Sequence, residues 1–281
     1  MTKRPPAPSI LPRAEVAARS YLFVPGDRPE RFPKAWNAGA DAVILDLEDA
    51  VTAERKAEAR RAVCGWMSPE RPVYVRINGT KTEWFRGDLE AVVRPGLRGI
   101  VLPKAESPEE VTEVVRRLPE GALVLPLVET ARGVWNAREL AETPGVERLV
   151  FGSIDLQLDA GIQGDDEELL YARSRIVLAS RVAGIIPPVD GVTASLDDAG
   201  RLAADAERAV RLGFGGKLCI HPKQIKAVHK GFAPAERKIA WARKVMESAG
   251  SAGSGAIRVD GEMVDRPVVE RARAILERAR P

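Results

Sequence analysis

Cysteine is nearly absent from this sequence. Cys64 and Cys219 are the two among 281 residues, enough for one disulfide at most. A chain of this length buries about three quarters of its unfolded surface and needs no such staple. Both lie in apolar stretches, so buried, reduced thiols are expected. Long apolar runs are missing as well. No stretch approaches the ~20 residues of a membrane span, and the first residues lack the apolar segment of a secretory signal. A cytoplasmic protein with no membrane partner is the expectation. An excess of one charge is also lacking. Lys and Arg number 43 against 40 Asp and Glu, a net +3 spread along the chain, which leaves no footprint for nucleic acid. Local basic pockets for a small anionic ligand remain compatible with that balance.

What is present is an alternation. Residues 1–18, rich in Pro, Ala and Arg, read as a flexible N-terminal arm. Beyond them, eight short apolar runs recur, at 21–24, 42–45, 73–77, 99–102, 123–128, 149–151, 184–189 and 217–220. Most are rich in Val, Ile or Leu, which suits strands buried on both faces of a parallel sheet. Amphipathic helical stretches separate them, at 54–66, 84–94, 134–142, 167–182, 197–212 and 222–230, with Thr52 as cap of the first. A further helix follows Ser107, where Ser-Pro-Glu-Glu reads as N-cap, Pro at the first helical position and a capping-box Glu. Eight such units with short links predict an α/β protein, a (β/α)₈ barrel over 19–233, in preference to an open doubly wound sheet. The turn after the first run, Val24-Pro25-Gly26-Asp27, carries no Gly-rich dinucleotide fingerprint.

After the eighth unit the pattern changes. Residues 234–249 read as an extra helix, 248–255 as a Gly/Ser linker, 256–265 as a hairpin turning at Asp260-Gly261, and Pro267 as the start of a last helix to about Arg280. This helix–hairpin–helix extension over 234–281 is expected to serve as a lid or a swapped arm.

Active sites of such barrels gather at the C-terminal ends of the strands. Here those ends are heavily polar: Asp46, Glu48 and Asp49 after the second run, Arg76 and Asn78 after the third, Lys104 after the fourth, Glu129 after the fifth, Ser153 and Asp155 after the sixth, and His221 after the eighth. Carboxylates converging on one rim repel and must be neutralised by protons, by cations such as Arg76 and Lys104, or by a metal. Oxygen ligands without a Cys/His cluster favour a hard ion, Mg²⁺ or Mn²⁺. Glu129 and Asp155, on adjacent strands, are the candidate pair. Each candidate also has a plain structural role open to it. Glu129 could pair with Arg132 or Lys104, Asp155 could cap a helix, Arg76 could neutralise Glu48 or Asp49, and His221 could make a structural hydrogen bond.

Seven segments in register resemble the citrate lyase beta subunit family of the HpcH/HpaI aldolase superfamily, which includes malyl-CoA and citramalyl-CoA lyases. They are 20–26, VILDLEDAV (43–51), VRIN (75–78), LPK (102–104), VETARG (128–133), FGSIDLQLDAG (151–161) and GKLCIHPKQI (216–225). The resemblance implies Mg²⁺-dependent carbon–carbon lyases, commonly homotrimers, that cleave 3-hydroxyacyl thioesters to an acyl thioester and a 2-keto acid. Glu129 and Asp155 match the metal ligands, Arg76 the arginine beside the thioester carbonyl, and Glu48 and Asp49 acidic groups near the metal's waters. The stretch 255–269 is similar to the family's lid, with Asp265 at the acid/base position that reaches a neighbouring subunit. A turn or cap role before Pro267 is the structural alternative for Asp265. For a CoA ligand, Lys104 and the basic residues Arg28, Arg31 and Lys34 are candidate contacts, a solvated helix face being the alternative for the last three. Many relatives carry an acidic residue just before the metal-binding aspartate. Here that position is Ile154. Two further activities stay open: a class II aldolase on free hydroxy-keto acids, and a beta subunit working with an acyl carrier protein.

Overall fold

A computed structural model describes residues 17–251, 257–259 and 262–279. They form two compact units that divide between Val228 and His229. In the first, eight parallel strands close into a barrel in the order β1 to β8. The strands are β1 Ser20–Pro25, β2 Ala42–Asp46, β3 Val73–Arg76, β4 Leu97–Leu102, β5 Leu123–Val128, β6 Val150–Phe151, β7 Val189–Asp190 and β8 Gly216–Cys219. Closure is made by β1 on β8, where Tyr21 pairs with Leu218. Strand side chains alternate between two faces. Tyr21, Ile44, Tyr74, Leu125, Val150 and Leu218 fill the barrel, while intervening residues such as Val43 and Leu45 are buried under the helical layer. That double burial is why the runs read as almost continuously apolar.

The helices are α1 Phe32–Trp36, α2 Lys56–Trp66, α3 Phe85–Val92, α4 Pro108–Val115, α5 Ala131–Trp135, α6 Ala137–Ala141, α7 Ser153–Ala160, α8 Leu170–Ala183, α9 Ala199–Leu212 and α10 Ile225–Phe232. The capping box at Ser107 and Glu110 forms as its sequence predicts. Thr52 holds the expected cap position, yet its side chain makes no cap hydrogen bond, and a 3₁₀ turn precedes α2. The expected helix over 134–142 is two short helices that meet at Asn136.

Two expectations need correction. The seventh run does not begin a strand at Gly184. That glycine ends α8 in the left-handed conformation, at φ 72°, and Pro187 and Pro188 lack the N–H groups a ladder needs, so β7 starts at Val189. Asp155 does not end a strand. β6 stops at Phe151, and Asp155 lies in the first turn of α7.

The second unit contains α11 Glu236–Ser251, a hairpin of β9 Ile257–Val259 and β10 Glu262–Val264, and α12 Arg266–Arg278. This is the helix–hairpin–helix order expected, but residues 248–251, read as the start of a Gly/Ser linker, continue α11, and 252–256 and the Asp260-Gly261 turn lie outside the described residues. Ala242, Val245, Val264, Ala272 and Ile275 form its own small core. Of the arm expected over 1–18, residues 1–16 also lie outside the described residues. Ala18 is buried, and its carbonyl accepts from Arg148 at 2.8 Å. Among the described residues no helix is long and apolar enough to cross a membrane. Cys64 and Cys219 are free thiols, half-buried and buried respectively.

Candidate active site

The C-terminal ends of the strands surround a cavity of about 330 Å³. Its polar lining includes Asp46, Asp49, Arg76, Glu129, Ser153 and Asp155, brought in from β2, β3, β5 and the first turn of α7. Four of the predicted residues, Asp49, Arg76, Glu129 and Asp155, therefore share one cavity. Glu48 and Lys104 stand behind it and hold its walls together.

Arg76 organises the rim. Its Nε and Nη2 donate to Asp46 Oδ1 and Oδ2 at 2.8 and 2.6 Å, a bidentate match of fork to carboxylate. Its Nη1 lies 2.9 Å from Glu48 Oε2, but poorly aligned, so that oxygen is ion-paired without a hydrogen-bond partner. Phe23 stacks beneath the guanidinium, 4.8 Å from ring centroid to Cζ. The neutralising role foreseen for Arg76 is met by Asp46 and Glu48, not by Asp49. Asp46 is placed on this rim by the sequence but its partnership with Arg76 is not: the pair spans 30 positions, and no local pattern links them.

Glu129 is 2% exposed. Its Oε1 accepts the backbone N–H of Lys104 at 2.8 Å. To deliver that N–H, Lys104 adopts φ 49°, the one left-handed non-glycine among the described residues. Such a conformation costs about 1–3 kcal/mol and persists only where surroundings impose it. Gly152 makes room for the carboxylate, since a Cβ there would lie 2.5 Å from Glu129 Oε2. Burial, aided by the negative charges of Glu48 and Asp155, pushes the Glu129 carboxyl up to about 8. A buried carboxyl raised by two carboxylate neighbours is suited to hold a cation.

Glu48 is likewise raised, chiefly by burial, against the pull of Arg76 and Lys104. The Lys104 ammonium donates to Glu48 Oε1 at 2.6 Å and lies 3.9 Å from Asp49. Burial alone would lower the lysine, but Glu48 outweighs it and holds the group above its usual range. It is a cation here, not a nucleophilic amine.

Other predicted residues lie elsewhere. Arg28 and Arg31 are exposed and pair loosely with Glu30 at 4.0 and 3.9 Å. Lys34 is exposed on α1, and none of the three lines the cavity. His221 caps a 3₁₀ turn, its Nδ1 accepting from Lys223 N at 3.1 Å. Asp265, in the second unit, is the N-cap of α12 and accepts from Val268 N at 3.2 Å.

Among the described residues no three His, Cys, Asp or Glu side chains form a ready cage. Mg²⁺ does not require one: it keeps several waters and takes one or two carboxylates. Glu129 and Asp155, both lining the cavity and close enough for the Asp155 charge to raise the Glu129 carboxyl, fit that pattern.

A rim of carboxylates and one arginine at the mouth of a (β/α)₈ barrel defines a class, the enzymes that act through carboxylate-held cations on oxygenated substrates. Residues 19–222 match the family HpcH/HpaI aldolase/citrate lyase, and the chain belongs to it. It is 41% identical over 274 residues to a citrate lyase subunit beta-like protein of Deinococcus radiodurans, covering 92% of this chain and 96% of that one. It is 34% identical over 295 residues to the citrate lyase subunit beta of Escherichia coli, covering 96% of each. Its fold is similar to that of the protein CitE from Mycobacterium tuberculosis, crystallised with magnesium, acetoacetate and coenzyme A. That match has a TM-score of 0.84 at 39% identity and covers 94% of this chain and 98% of that one.

Proposed function

We propose that this chain is a Mg²⁺-dependent carbon–carbon lyase that cleaves a 3-hydroxyacyl-CoA thioester, of the malyl-CoA or citramalyl-CoA type, into an acyl-CoA and a 2-keto acid. The observation that carries the reading is Glu129: a buried carboxylate, held by a strained backbone N–H and crowded by Asp155 and Glu48, facing a cavity. Glu129 and Asp155 would hold the cation, with Mn²⁺ as a substitute. When bound, the ion supplies Lewis acidity toward the keto acid's oxygens and fixes their orientation.

The chain's own residues account for the rest. Cleavage leaves negative charge on the thioester oxygen of the departing enolate. Arg76, fixed by Asp46 and Glu48, keeps N–H groups beyond the two that Asp46 takes. It is preorganised to meet that oxygen without moving, the condition under which such a contact is worth ~3 kcal/mol. Glu48 and Asp49 would supply acidic groups near the cation's waters. The hydroxyl proton passes to Asp265 from a neighbouring subunit. The relative bound to coenzyme A supports the thioester, with Lys104, Arg31 and Lys34 as the cations available to its acidic groups.

A homotrimer belongs to this reading. Support comes from an apolar stripe on α8, where Tyr171, Leu178 and Val182 are 63%, 64% and 65% exposed. It continues onto Trp135, 68% exposed, across which Arg175 stacks at 5.1 Å. Contiguous exposed apolar surface of this kind marks contact sites. The citrate lyase subunit beta relative favours a second reading, a subunit acting on an acyl group carried by a protein.

A mass-spectrometric screen separates these readings. Hydroxyacyl-CoA thioesters, the same acyl groups on an acyl carrier protein, and the free acids are incubated with enzyme and Mg²⁺. Cleavage of CoA thioesters is expected. Cleavage of carrier-bound or free acids alone would overturn the thioester assignment.

A further inference from the structure

The cavity is more apolar than its chemistry requires. Beside the carboxylates and Arg76, its wall carries Phe151, Ile154, Val192, Leu218 and Ile220. Ile154 is 51% exposed and Ile220 41%. Single exposed isoleucines are ordinary on a protein surface, but these two face the same cavity, and Ile154 directly precedes Asp155 in the first turn of α7.

The charges of the cavity point the same way. Arg76 is the one cation among the described residues lining it; Asp46 takes two of its N–H groups, Glu48 pairs with it, and what remains serves the thioester oxygen in the proposed reaction. The Lys104 ammonium stands outside the lining, on Glu48 at 2.6 Å. Four carboxylates, those of Asp46, Asp49, Glu129 and Asp155, complete the polar lining with Ser153. One substrate carboxylate can be met by a cation held on Glu129 and Asp155. A second would be desolvated against isoleucine and repelled by carboxylates, with no cation besides Arg76 among the described lining residues to receive it. An alkyl group in the same place would bury apolar surface.

We infer that the cavity selects monocarboxylic 2-keto acids bearing a short alkyl chain, the pyruvate and 2-oxobutyrate class, over keto-dicarboxylic acids such as oxaloacetate, and that Ile154 and Ile220 determine this choice. The inference rests on the reading of this cavity as the keto-acid site. The corresponding thioester substrates carry a methyl or ethyl group on the carbinol carbon, not a carboxymethyl group.

The test is calorimetric titration of the full-length protein in Mg²⁺ with pyruvate, 2-oxobutyrate and freshly prepared oxaloacetate. Steady-state cleavage of the matching thioesters is measured in parallel. Discrimination by small alkyl groups runs at about tenfold or more per methylene. The wild type is expected to bind 2-oxobutyrate at least about tenfold more tightly than oxaloacetate. Ile154→Lys places a cation at a half-exposed position that the fold tolerates, and should shift the ratio toward oxaloacetate by about tenfold. Ile154→Ala and Ile220→Ala should each weaken 2-oxobutyrate with little change for oxaloacetate. An unchanged melting temperature in each variant separates these effects from misfolding. Wild-type binding of oxaloacetate equal to or tighter than that of 2-oxobutyrate would overturn the inference, as would an unchanged ratio in Ile154→Lys, while leaving the lyase reading intact. Failure to bind any keto acid or to cleave any thioester would overturn both.

Discussion

Two buried charge clusters sit in the barrel unit, and they behave oppositely. On the outer faces of β7 and β8, Arg173 donates to Asp190 at 3.0 Å and Lys217 to the Gly191 carbonyl at 2.6 Å, while Thr193 donates to Asp205 at 2.6 Å. Arg173, Asp190, Asp205 and Lys217 are each no more than 2% exposed, and Arg201 and Arg208 also reach Asp205 at 3.1 and 3.0 Å, so both buried carboxylates face cations. At the barrel mouth Asp46, Glu48, Asp49, Glu129 and Asp155 face Arg76 and Lys104, five carboxylates against two cations, and the group opens on a cavity. The first cluster has its buried carboxylates countered and is sealed from that cavity. The second is short of positive charge and reachable. Burial of charge is common to both, so burial alone does not mark a site. Imbalance with access does.

That contrast can be broken deliberately. The largest effect is expected at the mouth: Glu129→Gln or Asp155→Asn should lower Mg²⁺-dependent cleavage by on the order of 10³-fold or more, with an unchanged circular-dichroism spectrum. Arg76→Ala should lower kcat by about 10²–10³-fold and also lower the melting temperature, because Asp46 and Glu48 lose their partner. Lysine should rescue poorly, since it cannot reproduce the fork. In the sealed cluster the outcome should invert. Asp190→Ala leaves Arg173 and Lys217 buried without their carboxylate, at a cost of about 3–5 kcal/mol in stability measured by denaturant titration. Turnover per folded molecule should stay near wild type.

The smaller effects sharpen the comparison. Glu129 holds its proton more tightly folded, at about 8, than a free carboxyl does. In metal-free protein its contribution to stability is therefore greatest below the unfolded value near 4.5 and declines as pH rises toward 8. Melting temperatures measured across that range with chelator should fall, less steeply in Glu129→Gln. Added Mg²⁺ should restore more stability at pH 8 than at pH 6, because the ion must displace the proton. A steeper fall in Glu129→Gln than in wild type would contradict this. Mixing inactive Asp265→Ala with inactive Arg76→Ala chains under subunit exchange should recover part of the activity. No recovery in verified mixed oligomers would remove Asp265 from the neighbouring site.

Much of the barrel was legible because its signals are local. Valine- and isoleucine-rich runs and the Ser107–Glu110 box each act over a few residues. Where the reading slipped, the cause was also physical. Gly184 looked like the start of a strand because apolar residues follow it, yet two prolines deny that segment its donors. Asp155 was assigned the right rim but the wrong element, since β6 has only two residues before α7 begins. Within the site, the carboxylates and Arg76 were visible in sequence. Their wiring was not, because the bond from Arg76 to Asp46 and that from Lys104 to Glu48 span 30 and 56 residues. The left-handed backbone of Lys104 had no Gly or Asn to announce it.

The central claim is that Glu129 and Asp155 together hold a divalent cation. Its most direct measurement is titration of Mn²⁺ into the metal-free protein, followed by electron paramagnetic resonance, with competition by Mg²⁺. Wild type should bind one ion per chain, and Glu129→Gln and Asp155→Asn should each lose that binding while remaining folded. Ion binding in both variants as tight as in wild type would contradict the account.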